Sequence, residues 1–148
     1  MAYIYELEYT VHSVIENLDD SGLADGEPEI SITTQAGFFK VSDERKLISY
    51  TEQTEGGKVT TEIAIEDGAL ILSRRGAVVL DATFREGESC KTVYSVPPYA
   101  FDAEIRTKRI RSDITKAGGE LRLLYSMNIG GQEKNVRLKI SAKPKARA

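Results

Sequence analysis

Apolar and polar residues alternate with a period of two along almost the whole chain. The pattern is clearest from Lys58 to Gly87, KVTTEIAIEDGALILSRRGAVVLDATFREG. Val59, Thr61, Ile63 and Ile65 share one parity there, and Lys58, Thr60, Glu62 and Glu66 the other. Such alternation marks a strand with one wet face. Asp67-Gly68 and Arg75-Gly76 separate three such runs, and an Asp-Gly between alternating segments is a strong hairpin signal. The centre therefore reads as an antiparallel ribbon.

The same pattern extends to both sides. Residues 3–15 alternate, with Leu7, Tyr9, Val11, Ser13 and Ile15 in phase. Asn17 to Pro28 is a polar, glycine-rich loop, long for a hairpin connection. Glu29 to Val41 resumes the strand pattern, and Gly37 within it predicts a bulge or sharp bend. Asp43-Glu44 turns the chain into Leu47–Gln53, and Gly56-Gly57 closes that hairpin. After Glu86-Gly87-Glu88, a short strand runs from Cys90 to Val96 and stops at Pro97-Pro98. Phe101, Ala103, Ile105 and Thr107 are in phase, but Ile110 is not, which predicts a bulge near Lys108-Arg109. Ser112 to Gly119 reads as a turn or one helical turn. Leu121 to Ile129 and Val136 to Ile140 form the last hairpin, around Gly130-Gly131.

About ten extended runs joined by short connections make a meander, because neighbours in sequence must then be neighbours in space. Twist curls such a sheet, and closure removes its exposed edges. The expected fold is all-β: one up-and-down antiparallel barrel of about eight to ten strands over residues 1–141, followed by a flexible basic tail at 142–148. A β-sandwich is the alternative, but only Asn17–Pro28 is long enough for a Greek-key crossover.

Composition then narrows the function. The 148 residues are 41% hydrophobic and 29% charged, with a net charge of −3, which argues against non-specific nucleic-acid binding. No apolar run reaches the roughly 20 residues of a membrane span, and the first residues lack the order of a signal peptide. The single cysteine, Cys90, forms no internal disulfide, so the expected location is the cytoplasm. Cys90, with Lys91 beside it and His12 as a remote partner, makes a poor nucleophile, and one histidine makes a poor metal site. No cofactor fingerprint occurs among the glycines. Asp113 with Ser112 reads as turn or capping chemistry, and Lys108, Arg109 and Arg111 as a solvated strand face.

Parity assigns an inward apolar set: Leu7, Tyr9, Val11, Ile48, Val59, Ile63, Ile65, Leu70, Leu72, Val78, Leu80, Phe84, Phe101, Ile105, Leu121, Leu123, Met127, Val136, Leu138 and Ile140. On the same parities sit Tyr50, Glu52, Thr61, Arg74, Tyr94, Thr107 and Tyr125, the candidate ligand-binding residues of a barrel lumen. A charge inside a barrel must be paired. Arg74 and Glu52 therefore read as a structural ion pair tied to tyrosine hydroxyls, or as a polar anchor for an amphipathic acid.

Short segments carry a family resemblance. SVIE at 13–16, ISYTE at 48–52, GKVTT at 57–61, RRGAV at 74–78, TKRIRSD at 107–113 and GGELRLLYSM at 118–127 resemble the YwiB-type family of uncharacterised bacterial proteins. The resemblance spans nearly the whole chain in order and is least in Asn17–Pro28. It implies a cytoplasmic, calycin (lipocalin-like) barrel and no activity or catalytic residue. The expected function is binding of a small apolar or amphipathic ligand. The alternative is a filled barrel acting as a protein-interaction or regulatory module. An enzyme with Glu52 as acid or base is the weakest reading, and nothing in the sequence fixes the oligomeric state.

Overall fold

The alternating runs become strands in the computed structural model, which describes residues 2–43 and 45–145. These residues form ten strands: β1 (Ala2–Asn17), β2 (Glu29–Ser42), β3 (Arg45–Thr54), β4 (Gly57–Glu66), β5 (Ala69–Gly76), β6 (Leu80–Phe84), β7 (Ser89–Val96), β8 (Tyr99–Ser112), β9 (Gly119–Ile129) and β10 (Gln132–Pro144). They make one antiparallel sheet in the order β6-β5-β4-β3-β2-β1-β10-β9-β8-β7. Every chain neighbour is a sheet neighbour, except that β1 and β10 join the two ends and β6 and β7 form the seam. No described residue is helical, so Ser112–Gly119 holds turns rather than a helical turn.

The seam is only stitched. Val79 and Ser95 exchange two backbone hydrogen bonds of 2.9 and 3.0 Å, and the Thr92 hydroxyl donates to the Asp81 carbonyl. Below them, Gly87 N–H donates to Thr107 O, and Thr107 N–H donates to Glu88 O. The result is an up-and-down, nearly closed barrel.

Turn chemistry sets the hairpins. Gly68 takes a φ of 71° between β4 and β5, a left-handed value that a side chain disfavours. Asp43 takes a φ of 38° at the β2–β3 connection; Glu44, the second residue expected there, lies outside the described residues. The expected bulge is present, as a register shift between Thr107 and Arg109. It keeps Thr107 inward, brings Ile110 against the core and turns Arg109 and Arg111 outward.

Three expectations need correction. Gly37 causes no bulge against β1, whose register with β2 runs through it unbroken, but the pairing of β2 with β3 ends at this glycine. A Cβ there would meet the Tyr9 ring at 2.9 Å and the Ser49 carbonyl, so this glycine makes room for an aromatic ring. The strand β10 runs three residues into the segment expected to be a tail, pairing Ala142, Lys143 and Pro144 with Tyr9, Glu8 and Leu7. Ala142 is buried and Lys143 Nζ lies 3.1 Å from Glu8, whereas residues 146–148 lie outside the described residues. Phe101, on an inward parity, is 45% exposed, because β7 and β8 project beyond the rest of the sheet at that end.

The two ends of the barrel differ. At one end Ile114, in the β8–β9 connection, is 1% exposed and packs into the core. At the other, β2 and β3 pair only from Gly37–Tyr50 to Ser42–Arg45. The first half of β2, Glu29–Ala36, therefore pairs with β1 alone, and Thr51–Thr54 of β3 pairs with β4 alone. The strands part above Tyr50 and leave the wall split.

Candidate functional site

The residues singled out by parity converge beside this split. Tyr50, Thr61 and Arg74 occupy one register row across β3, β4 and β5, and Glu52 lies one inward step nearer the open end. Arg74 Nη2 is 4.0 Å from Glu52 Oε1, with the two side chains 26% and 12% exposed. That spacing is longer than the roughly 2.8 Å of a strong guanidinium–carboxylate hydrogen bond. Glu52 Oε2 accepts a 2.8 Å hydrogen bond from the Thr33 hydroxyl, which reaches across the parted strands. The arrangement is a loose ion pair, intermediate between a sealed interior pair and a surface one.

Rings fill the space beneath. Tyr50 packs on Tyr9, with centroids 5.7 Å apart, and Tyr9 donates its hydroxyl to the Phe38 carbonyl at 3.0 Å. Tyr125 packs on Phe84 at 5.0 Å. Burial raises the Tyr50 phenol above its ordinary value; Glu52 adds to this and the Arg74 charge opposes it. Burial pushes Tyr125 up to about 12, again against the pull of Arg74 and with a small addition from Tyr94. Arg74 is thus near enough to act on tyrosines from both sides of the barrel. Tyr94 stands opposite Phe101 at the open end.

Thr107 faces Tyr125 across β8 and β9, behind the cluster rather than in it. The hydroxyls of Thr61 and Thr107 are buried with no hydrogen-bond partner. The Thr61 hydroxyl lies across from Tyr50 and acts to lower its phenol pKa, against the larger effect of burial. Buried hydroxyls are normally satisfied, so these two are exceptions within the wall.

The other residues considered lie elsewhere. His12 faces outward on β1, and Cys90 is half-buried with its Sγ 3.7 Å from the Lys91 carbonyl. Asp113 serves the turn as expected: its Oδ1 accepts from Glu120 N–H at 2.7 Å. Thr33 and Phe39 were missed by parity reading. Both fall on the phase of Gly37, so the interruption at that glycine hid the in-facing set Thr33, Gln35 and Phe39. Among the described residues no group of His, Cys, Asp and Glu is placed to hold a metal ion, and no helix is long and apolar enough to cross a membrane.

Residues 17–140 match the family described as Domain of unknown function (DUF1934). The chain belongs to that family. The match begins at the last residue of β1 and takes in the loop where the sequence resemblance is least. The chain is 29% identical over 133 residues to the uncharacterized beta-barrel protein YwiB of Bacillus subtilis (strain 168), covering 88% of this chain and 89% of that protein. It is also similar to the crystal structure of the ywiB protein from Bacillus subtilis. There the TM-score is 0.83 and the identity 26%, over 97% of this chain and 94% of that one. The DUF1934 family and the ten-stranded barrel thus agree with the meander read from the sequence.

Proposed function

We propose that this DUF1934 protein is a cytoplasmic small-ligand binder that receives an apolar or amphipathic acid at its open end. The carboxylate settles on Arg74, beside the Tyr50 and Tyr94 hydroxyls, and the apolar body lies against Phe101. One observation carries the reading: a guanidinium only loosely held at 4.0 Å by Glu52, set on one row with the buried Tyr50 and Thr61 hydroxyls. A guanidinium fork offers two parallel hydrogen bonds to a carboxylate, and Glu52 leaves that capacity unused. The single thiol of Cys90 suits a reducing compartment.

Native mass spectrometry of protein taken directly from cells, with thermal shifts across aliphatic and aromatic acids, tests this. A co-purifying acid lost in Arg74→Gln supports it. No adduct and no shift with any acid refutes it.

A second reading is favoured by the interior itself. Tyr9, Phe39, Phe84, Leu7 and Ile48 are almost wholly buried below the cluster. A barrel filled this way serves as a scaffold for an interaction surface, and affinity capture of one consistent partner by an Arg74→Gln protein would select it.

A further inference from the structure

The outer wall carries a feature that the interior does not explain. Across β8, β9, β10 and β1 the register sets Arg111 opposite Arg122, Arg122 opposite Lys139, and Lys139 opposite His12. The adjacent outward row holds Arg109, Leu124, Arg137 and Val14. Like charges directly opposed on neighbouring strands destabilise a sheet. The bulge after Thr107 creates this arrangement, since without the extra residue Arg109 and Arg111 would share the inward phase.

The local acids offset only part of the charge. Glu120 lies 3.1 Å from Arg122 and 3.8 Å from Lys139, and Glu16 lies 3.9 Å from Arg137. Glu86 accepts the Ile110 N–H at 2.8 Å. Arg109 and Arg111 have no carboxylate partner among the described residues. Both rows line a groove of about 550 Å³, with Val14, Ile110, Leu123, Leu124 and Leu138 as its apolar parts and Glu86 at its edge.

We propose that this groove binds a compact polyanion of the oligophosphate class, held by Arg109, Arg111, Arg122 and Lys139. Its volume lies within the range of small-molecule sites. Arginine forks match phosphoryl oxygens two at a time. Adjacent strands are about 4.8 Å apart, so a ligand with several linked charges reaches cations on neighbouring strands where a lone carboxylate reaches one. No Phe, Tyr or Trp lines the groove, which leaves no stacking platform for the bases of a single-stranded nucleic acid. Bound anion converts the cost of the opposed cations into binding energy. The site is separate from the Arg74 cluster, so either proposal stands without the other.

Inorganic tripolyphosphate is the probe, titrated into the intact protein at low ionic strength against sodium chloride of matched ionic strength. Wild type should melt about 8 °C higher with the probe at a hundredfold excess over Kd. Arg111→Ala should melt no lower than wild type without the probe, because a repulsive neighbour is gone. It should bind the probe at least about tenfold more weakly, the loss of one charge-assisted contact. Arg109→Ala should weaken binding likewise, and Arg74→Ala should bind as wild type. A shift reproduced by matched salt overturns the proposal. So does wild-type affinity in both Arg109→Ala and Arg111→Ala, or loss of binding in Arg74→Ala.

Discussion

The two ends of this barrel are built from the same alternating pattern and reach opposite outcomes. At the sealed end the β8–β9 connection folds inward and buries Ile114 almost completely. At the open end β2 leaves β3 after Gly37–Tyr50, Phe101 stays 45% exposed on an inward phase, and the interior turns polar. The difference shows that parity decides which way a side chain points, while strand pairing decides whether that direction is covered. Charge follows coverage: Arg74 and Glu52 occur where the wall parts, and none of the wholly buried large side chains is charged.

The comparison can be broken most directly by truncation at each end. Ile114→Ala should cost about 2–5 kcal/mol, from lost transfer energy plus a cavity. Phe101→Ala should cost less than about 1 kcal/mol, because much of that ring is already wet. Denaturant melts of the two variants check this, and equal losses would mean that both ends are sealed.

Alkaline titration sharpens the same contrast. Tyr125 carries a phenol raised from 10.0 to about 12. A raised pKa favours the neutral folded form, so its contribution is complete below the unfolded value of 10.0 and is lost as pH rises through about 12. Stability should therefore fall across that window, and Tyr125→Phe should flatten the fall.

Next in size is Arg74→Ala. Surface pairs contribute up to about 1 kcal/mol, and breaking a buried pair costs about 3–5 kcal/mol. A pair at 4.0 Å with side chains 26% and 12% exposed belongs between these, at roughly 1–2 kcal/mol. A loss above about 3 kcal/mol would place the split under cover. The smallest effect has the opposite sign. Thr107→Val replaces an unpartnered hydroxyl with a methyl group of similar shape and should stabilise the protein by about 1 kcal/mol. Destabilisation would show that the hydroxyl has a partner after all.

Much of this was legible in the sequence, because period-two alternation and turn residues are local. The Thr107–Arg109 bulge could be found because a single misplaced apolar residue, Ile110, betrays it. The convergence of Tyr50, Thr61, Arg74 and Tyr125 followed from phase alone, since an enclosed wall gathers one phase in one space. What stayed hidden depends on the exact register between neighbouring strands and on where a pairing stops. Ile114 sits in a turn with no alternation to reveal it. The parting of β2 from β3 falls at Gly37, which marks an interruption but not that the partner strand is lost there. The row Arg111, Arg122 and Lys139 exists only once three strands are set side by side.

The pairing of β1 with β10, from Leu7–Pro144 to Asn17–Lys134, is the one extensive contact that joins opposite ends of the chain. Every other strand pair is a local hairpin, and the seam between β6 and β7 holds by one β-bridge and a few further hydrogen bonds. A circular permutant with Pro144 linked to Ala2 and new termini between Phe84 and Ser89 would keep the order of strands around the wall. Its extensive pairings would then all be local, which lowers the contact order and should speed folding.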